Sequence, residues 1–179
     1  IKRIVKNKDK LKKNLNKNKI MIIGIGITDA NRQAVATELA KVLADETNKA
    51  FDQISPDSDW AFYIQSDEVV HEKYLDTILA QMEKWKDHKE VDGLLFNYTH
   101  FYGNYNYVGD SRKWYRKEIR IIKNNKAIRS YKDAQGFRKT DNSKLNVKAI
   151  DAHVYHYGWV KPPAAQQEKQ KNFHKMWHD

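Results

Sequence analysis

Residues 60–68 read WAFYIQSDE. Trp60 to Ile64 form an unbroken run of apolar and aromatic side chains, short and bounded, which predicts a buried strand. The run stops at two acids, Asp67 and Glu68, so its carboxyl end carries charge. Open α/β sheets place ligands and metals beyond the carboxyl ends of their strands, and this stretch therefore sets the expected fold class as α/β.

Working outward from it, the chain alternates. Upstream, Ile20 to Ile23 predicts a short strand broken by Gly24 and Gly26. Thr28 and Asp29 are caps for a helix whose apolar positions Ala34, Val35, Leu39, Val42 and Leu43 run on towards Phe51. The SPDSD stretch at 55–59 turns the chain into the Trp60 strand. Downstream, Tyr74, Leu75, Ile78, Leu79, Met82 and Trp85 share one helical face, and Leu94 to Phe101 reads as a strand. Glu118 to Ile122 and Ala127 to Tyr131 flank the turn-forming Asn124 and Asn125, which predicts a hairpin. Leu145 to Ile150 and Ala152 to Tyr157 alternate as strands, and Pro162 and Pro163 then end the sheet and admit a polar closing helix. Helices between the early strands and hairpins among the late ones predict a mixed sheet. No internal repeat is present.

Composition narrows the function classes. The 179 residues are 40% hydrophobic and 12% aromatic with three prolines, enough for one domain with a core. There is no cysteine, so disulfides and thiolate metal sites are excluded and a reducing cytoplasm is the expected compartment. No apolar run reaches the roughly 18 residues of a membrane span, and the opening IKRIVKNKDK lacks the apolar centre of a signal peptide. The net charge of +10 is unevenly placed: residues 1–19 hold nine Lys or Arg against one Asp, and the other 160 residues hold 24 basic and 22 acidic groups. Ile1, Ile4, Val5, Leu11 and Leu15 recur near helical spacing in that basic opening, which reads first as a solvated amphipathic helix, then as a contact for an anionic membrane, and last as a nucleic-acid segment.

Several motifs fail. Gly24-Ile25-Gly26 begins a dinucleotide fingerprint, but the sixth position is Asp29. His71-Glu72 begins a metalloprotease motif, but the required second His is replaced by Leu75. His174 and His178 share a helical spacing that fits a polar terminal helix.

Taken in order, ETNKAFDQ (46–53), DWAFYIQSDEVVHEKYL (59–75), GLLFNYTHFYG (93–103), GDSRKWYRKEIRIIKN (109–124), SYKDAQGFRK (130–139) and HYGWVKPP (156–163) resemble bacterial glycosyltransferase family 2 proteins of the GT-A fold, over roughly residues 46–178. The resemblance implies a metal-dependent, inverting transferase that moves a sugar from a nucleotide-diphosphate sugar to a glycan or lipid-linked acceptor, in the making of cell-envelope polysaccharide. The cysteine-free composition and the placement of the charge in residues 1–19 add the expectation of a cytoplasmic protein with peripheral contact to the inner membrane surface and no nucleic-acid partner. The family's Asp-x-Asp motif falls on Gln65, Ser66 and Asp67, so Asp67 would hold Mn²⁺ or Mg²⁺ and the three residues would face the donor, with Gln65 standing where many relatives have the first Asp. A late histidine that some relatives supply to the metal or the diphosphate corresponds to His156, which would then be a second metal ligand, with simple packing between its flanking tyrosines as the alternative; His153, three positions earlier, would point to the opposite face. The family's opening nucleoside-binding strand has no counterpart, which implies that residues 1–59 are a remnant of the nucleotide-binding half and residues 60–179 the metal and acceptor half of a single domain.

The chemistry is consistent with that assignment. A departing diphosphate gathers negative charge that a cation on hard oxygen ligands offsets. An Asp at this position also reads as a cap for the following helix. An inverting transfer needs a base for the acceptor hydroxyl, and the candidates are Asp133, Asp110 and Glu118, with a turn-forming role open for Asp133 and a cross-strand charge for Glu118. Arg116 and Arg120, with Arg112 and Lys113, are candidates for donor phosphates or an anionic acceptor, or else charges on a strand edge. The aromatic residues Tyr98, Phe101, Tyr102, Tyr105, Tyr107, Trp114, Tyr115, Tyr157 and Trp159 suit carbohydrate, about half of them as core. The competing readings are a noncatalytic carbohydrate-binding or scaffolding relative and a basic nucleic-acid module.

Overall fold

In a computed structural model, which describes residues 20–25, 36–132, 134–168 and 171, the Trp60–Ile64 run lies in strand β2 (Trp60–Gln65). An apolar run without alternation needs cover on both faces, and β2 has it. Trp60 and Phe62 pack with Leu94, Phe96, Tyr98, Ile121, Ile150, Ala152 and Val154 on one face, while Ala61 and Tyr63 pack with Phe51, Ile54, Ile122, Ile128, Phe137 and Leu145 on the other. Each such large side chain contributes about 1.5–3 kcal/mol on burial, so the two clusters supply the main stabilisation.

The other strands are β1 (Ile20–Ile25), β3 (Glu68–Val70), β4 (Gly93–Tyr102), β5 (Asn104–Val108), β6 (Lys117–Lys123), β7 (Ile128–Tyr131), β8 (Gly136–Lys139) and β9 (Val147–Trp159). The main sheet runs β1-β2-β6-β4-β9-β3, with β5 paired to β4. β1 is parallel to β2 and β4 to β9, and the remaining pairs are antiparallel, so the protein is α/β with a mixed sheet. Helix α1 (Ala36–Asp52) connects β1 to β2 and buries Ala44, Thr47 and Phe51, spaced to share one face. Helix α2 (Leu75–Trp85) buries Ile78 and Met82 against the first cluster. Residues 163–168 are helical after Pro162. Among the described residues no helix is long and apolar enough to cross a membrane.

Three expectations need correction. Glu118–Ile122 and Ala127–Tyr131 do not form a hairpin with each other: β6 pairs with β2 and β4 inside the main sheet, and β7 pairs with β8. The turn at Asn124, whose N–H donates to the Asp59 carbonyl and whose side chain donates to the carbonyls of Ser55 and Ser58, binds the end of β6 to the loop before β2 and directs the chain out of the sheet. The two late strands are one, β9, continuous through Asp151. Asp67 caps no helix, because β3 and a single 3₁₀ turn (Glu72–Tyr74) intervene before α2, and His71 Nδ1 caps that turn by accepting from Lys73 N–H. The amphipathic opening at 1–19, the caps Thr28 and Asp29, and the His174–His178 pair lie outside the described residues.

Candidate functional site

β2 ends at Gln65, Ser66 and Asp67 form the turn, and Glu68 opens β3. β3 pairs with β9 so that Glu68 lies opposite His156, and β9 pairs with β4 so that His156 lies opposite His100. Register thus aligns Glu68, His156 and His100 across three neighbouring strands. The Asp67 carbonyl accepts from Tyr157 N–H at 2.8 Å, which ties the turn to β9.

The two acids of the turn separate completely in role. Glu68 is inside: its side chain has no exposure, and Arg120, 1% exposed, donates from Nη2 to Oε1 at 2.6 Å and from Nε to Oε2 at 2.9 Å. The Tyr98 hydroxyl donates to Oε1 and Gln65 N–H to Oε2, so the buried carboxylate is fully hydrogen-bonded. Burial disfavours the charge on Arg120, but adjacent Glu68 outweighs it and holds the guanidinium protonated more firmly than usual. Burial, then the neighbouring Glu68 charge, pushes the Tyr98 hydroxyl well above its ordinary value. Asp67 instead keeps 43% of its side chain exposed, and Oδ2 stands 3.4 Å from His156 Nε2.

Behind His156 lies His100, 2% exposed, with the two Nδ1 atoms 3.1 Å apart. His100 Nε2 donates to the Tyr115 carbonyl at 3.2 Å. Rings of Tyr98, Trp114 and Tyr115 surround the His100 imidazole at centroid distances of 4.8, 4.8 and 4.5 Å. Burial, followed by the neighbouring imidazole of His156, lowers the His100 pKa to about 4, so this imidazole is neutral near pH 7. Gly158 completes the site: a Cβ there would overlap Asp67 Oδ2 and lie 2.6 Å from His156 Nε2, so a larger residue would push one of these side chains aside.

The remaining sequence candidates are distributed around this centre. Ser66 is exposed, and Gln65 is half-buried with Nε2 donating to the Tyr63 hydroxyl at 3.1 Å. Asp110 and Arg116 are exposed on the loop that carries Trp114 and Tyr115, with Arg116 Nη2 donating to the Asp110 carbonyl. Glu118, 15% exposed, lies 3.5 Å from Arg120 Nη1 and belongs to the buried charge network. Arg120 is not placed to meet a phosphate, because the interior carboxylate of Glu68 holds its guanidinium. Asp133 lies outside the described residues. His153 stacks on Tyr74 and Tyr155, on the side of β9 away from His156.

Two members of the site, His100 and Gly158, were not among the sequence candidates. The alternation Leu94, Phe96, Tyr98, His100 along β4 carries the first, since it continues an inward-facing series. Among the described residues no group of three or more His, Asp or Glu side chains is gathered closely enough to hold a metal by itself. No protein-family model matches this sequence, and no curated protein matches it either.

Proposed function

We propose that this chain is a GT-A-type, metal-dependent glycosyltransferase that uses a nucleotide-diphosphate sugar and an inverting displacement. The observation that carries the reading is the meeting of Asp67 Oδ2 and His156 Nε2 at 3.4 Å, beyond the carboxyl end of the interior strand β2, with the Asp67 side chain 43% exposed. Two ligands about 2.1 Å from one octahedral cation lie about 3 Å apart when adjacent, so these atoms fit a shared cation with little movement. One carboxylate and one imidazole favour Mn²⁺ over Mg²⁺, which prefers oxygen alone. Asp67 and His156 would hold the cation together with donor and water oxygens, and it would supply the positive charge that offsets the leaving diphosphate.

The chain's own residues do the rest. Glu68, locked by Arg120 and Tyr98, anchors the turn that presents Asp67. Ser66 and Gln65 border the donor side, and Arg116, with Arg112 and Lys113 on the same loop, is an exposed cation for donor phosphate or an anionic acceptor. Asp110 on the same loop, or Asp133, takes the proton from the acceptor hydroxyl. The basic segment 1–19 supports peripheral contact with an anionic membrane that supplies a lipid-linked acceptor.

A thermal-shift series tests the proposal. UDP or GDP with Mn²⁺, near a hundredfold above its dissociation constant, raises the melting temperature by about 5–10 °C, and nucleotide without metal does not. Asp67→Ala abolishes the shift. Absence of any Mn²⁺-dependent nucleotide response in the unaltered chain rejects the enzyme reading. The exposed Tyr105 and Tyr107, at 70% and 66%, favour a second reading, a noncatalytic carbohydrate binder. Glycan binding that is indifferent to Mn²⁺ and to Asp67→Ala selects it.

A further inference from the structure

The polarity of a hydrogen-bond chain can be deduced here from its one fixed end. A backbone carbonyl only accepts, so the His100 Nε2 that lies 3.2 Å from the Tyr115 oxygen carries a hydrogen. His100 is buried among three aromatic rings and is one of two imidazoles 3.1 Å apart, which is no place for two facing N–H groups. Its Nδ1 therefore holds a lone pair, and His156 Nδ1, directly opposite, supplies the hydrogen.

We propose that His100 is a positioning residue that fixes His156 in its Nδ1–H form, so that Nε2 always faces Asp67 as the cation-binding nitrogen. The inference rests on the proposed cation site and adds to it the residue that prepares the ligand. The Nδ1–H to Nδ1 bond holds whether His156 is neutral or carries a second hydrogen on Nε2, because only the Nε2 end differs between those forms. A neutral His156 then directs a lone pair at a carboxylate oxygen 3.4 Å away, an arrangement of two acceptors that a cation between them satisfies. Histidine ligands to metals characteristically donate their other ring N–H to an acceptor, which orients the ring and raises its basicity; here the acceptor is a second, buried imidazole. Gly158 serves the same end sterically, since a side chain there would push into both Asp67 Oδ2 and His156 Nε2.

Long-range ¹⁵N–¹H correlation spectra of the full, metal-free chain at mildly alkaline pH read the tautomers directly. The expected spectrum shows His156 protonated on Nδ1 and His100 on Nε2. His100→Phe removes the acceptor: His156 then becomes a tautomer mixture, and Mn²⁺ affinity, followed by electron paramagnetic resonance, falls about 10–100-fold. His100→Asn, whose amide oxygen reaches the place of Nδ1, keeps the Nδ1–H form and most of the affinity. An Nε2–H tautomer of His156 in the unaltered chain overturns the proposal, and this reading needs no variant to fold. Equal Mn²⁺ affinity in a folded His100→Phe chain overturns it as well. Failure of the unaltered chain to bind Mn²⁺, with the tautomers as stated, instead removes the cation site while leaving the relay in place.

Discussion

Arg120 and Glu68 are the most consequential pair at the scale of single residues, because neither has a solvent-exposed alternative. Removing one member leaves an uncompensated charge in the interior. Arg120→Met is expected to cost about 3–5 kcal/mol, seen as a lower urea midpoint, whereas adding Glu68→Leu to it recovers most of that loss. If the single change costs no more than a surface substitution, the pair does not hold the turn in place. Adjacent acids in the segment SDE look alike in the sequence; which of them is internal depends on an arginine 52 positions further on. Distance in sequence likewise hides the role of Gly158, which a side chain would disturb only through atoms of Asp67 and His156.

At the scale of elements, the hairpin of β7 and β8 is bound to α1 by the packing of Phe51 with Ile128 and Phe137, by the Arg129–Asp52 ion pair at 2.6 Å, and by one side-chain amide. Asn48 Oδ1 accepts from Ser130 N–H at 2.8 Å, and Asn48 Nδ2 donates to the Ser130 carbonyl at 3.3 Å. Asn48→Ala leaves both groups of a buried residue without this partner and is expected to cost about 1–3 kcal/mol. Hydrogen exchange at the Ser130 amide should accelerate more than exchange within β4; equal acceleration in both would mean that the hairpin opens only with the whole sheet. Strong local signals placed β2, β4 and both helices, since each carries a continuous or 3.6-period apolar pattern. β3 and β5 lacked such signals. β3 has three residues, and β5, NYNYV, is exposed throughout, so its backbone pairing with β4 leaves no burial pattern to read. The sequence did suggest a turn at Asn124 and Asn125, but not that β6 would find its partners in β2 and β4.

For the molecule as a whole, the density of aromatic residues predicts a particular alkaline behaviour. Burial is the first cause that raises Tyr63, Tyr98, Tyr115 and Tyr157, and a hydrogen bond with Tyr74 raises Tyr155 to about 12. A hydroxyl whose folded pKa exceeds the unfolded value of about 10 keeps its full contribution below pH 10 and loses it as pH rises further, because only the unfolded chain releases the proton easily. Near-ultraviolet titration of the ten tyrosines should therefore show a delayed group of phenolates that appears together with unfolding; simultaneous ionisation near pH 10 in a still-folded chain would contradict this packing. The amino-acid order alone determined where the strong apolar runs become strands and helices and that acid ends strand β2, because those features depend on neighbours a few residues apart. Only the tertiary structure decided that Asp67 faces solvent while Glu68 is buried, and that His156 and His100 stand in a row behind it. Those outcomes depend on the registers of β3, β9 and β4, in which groups as distant in the chain as residues 67 and 156 come within 3.4 Å.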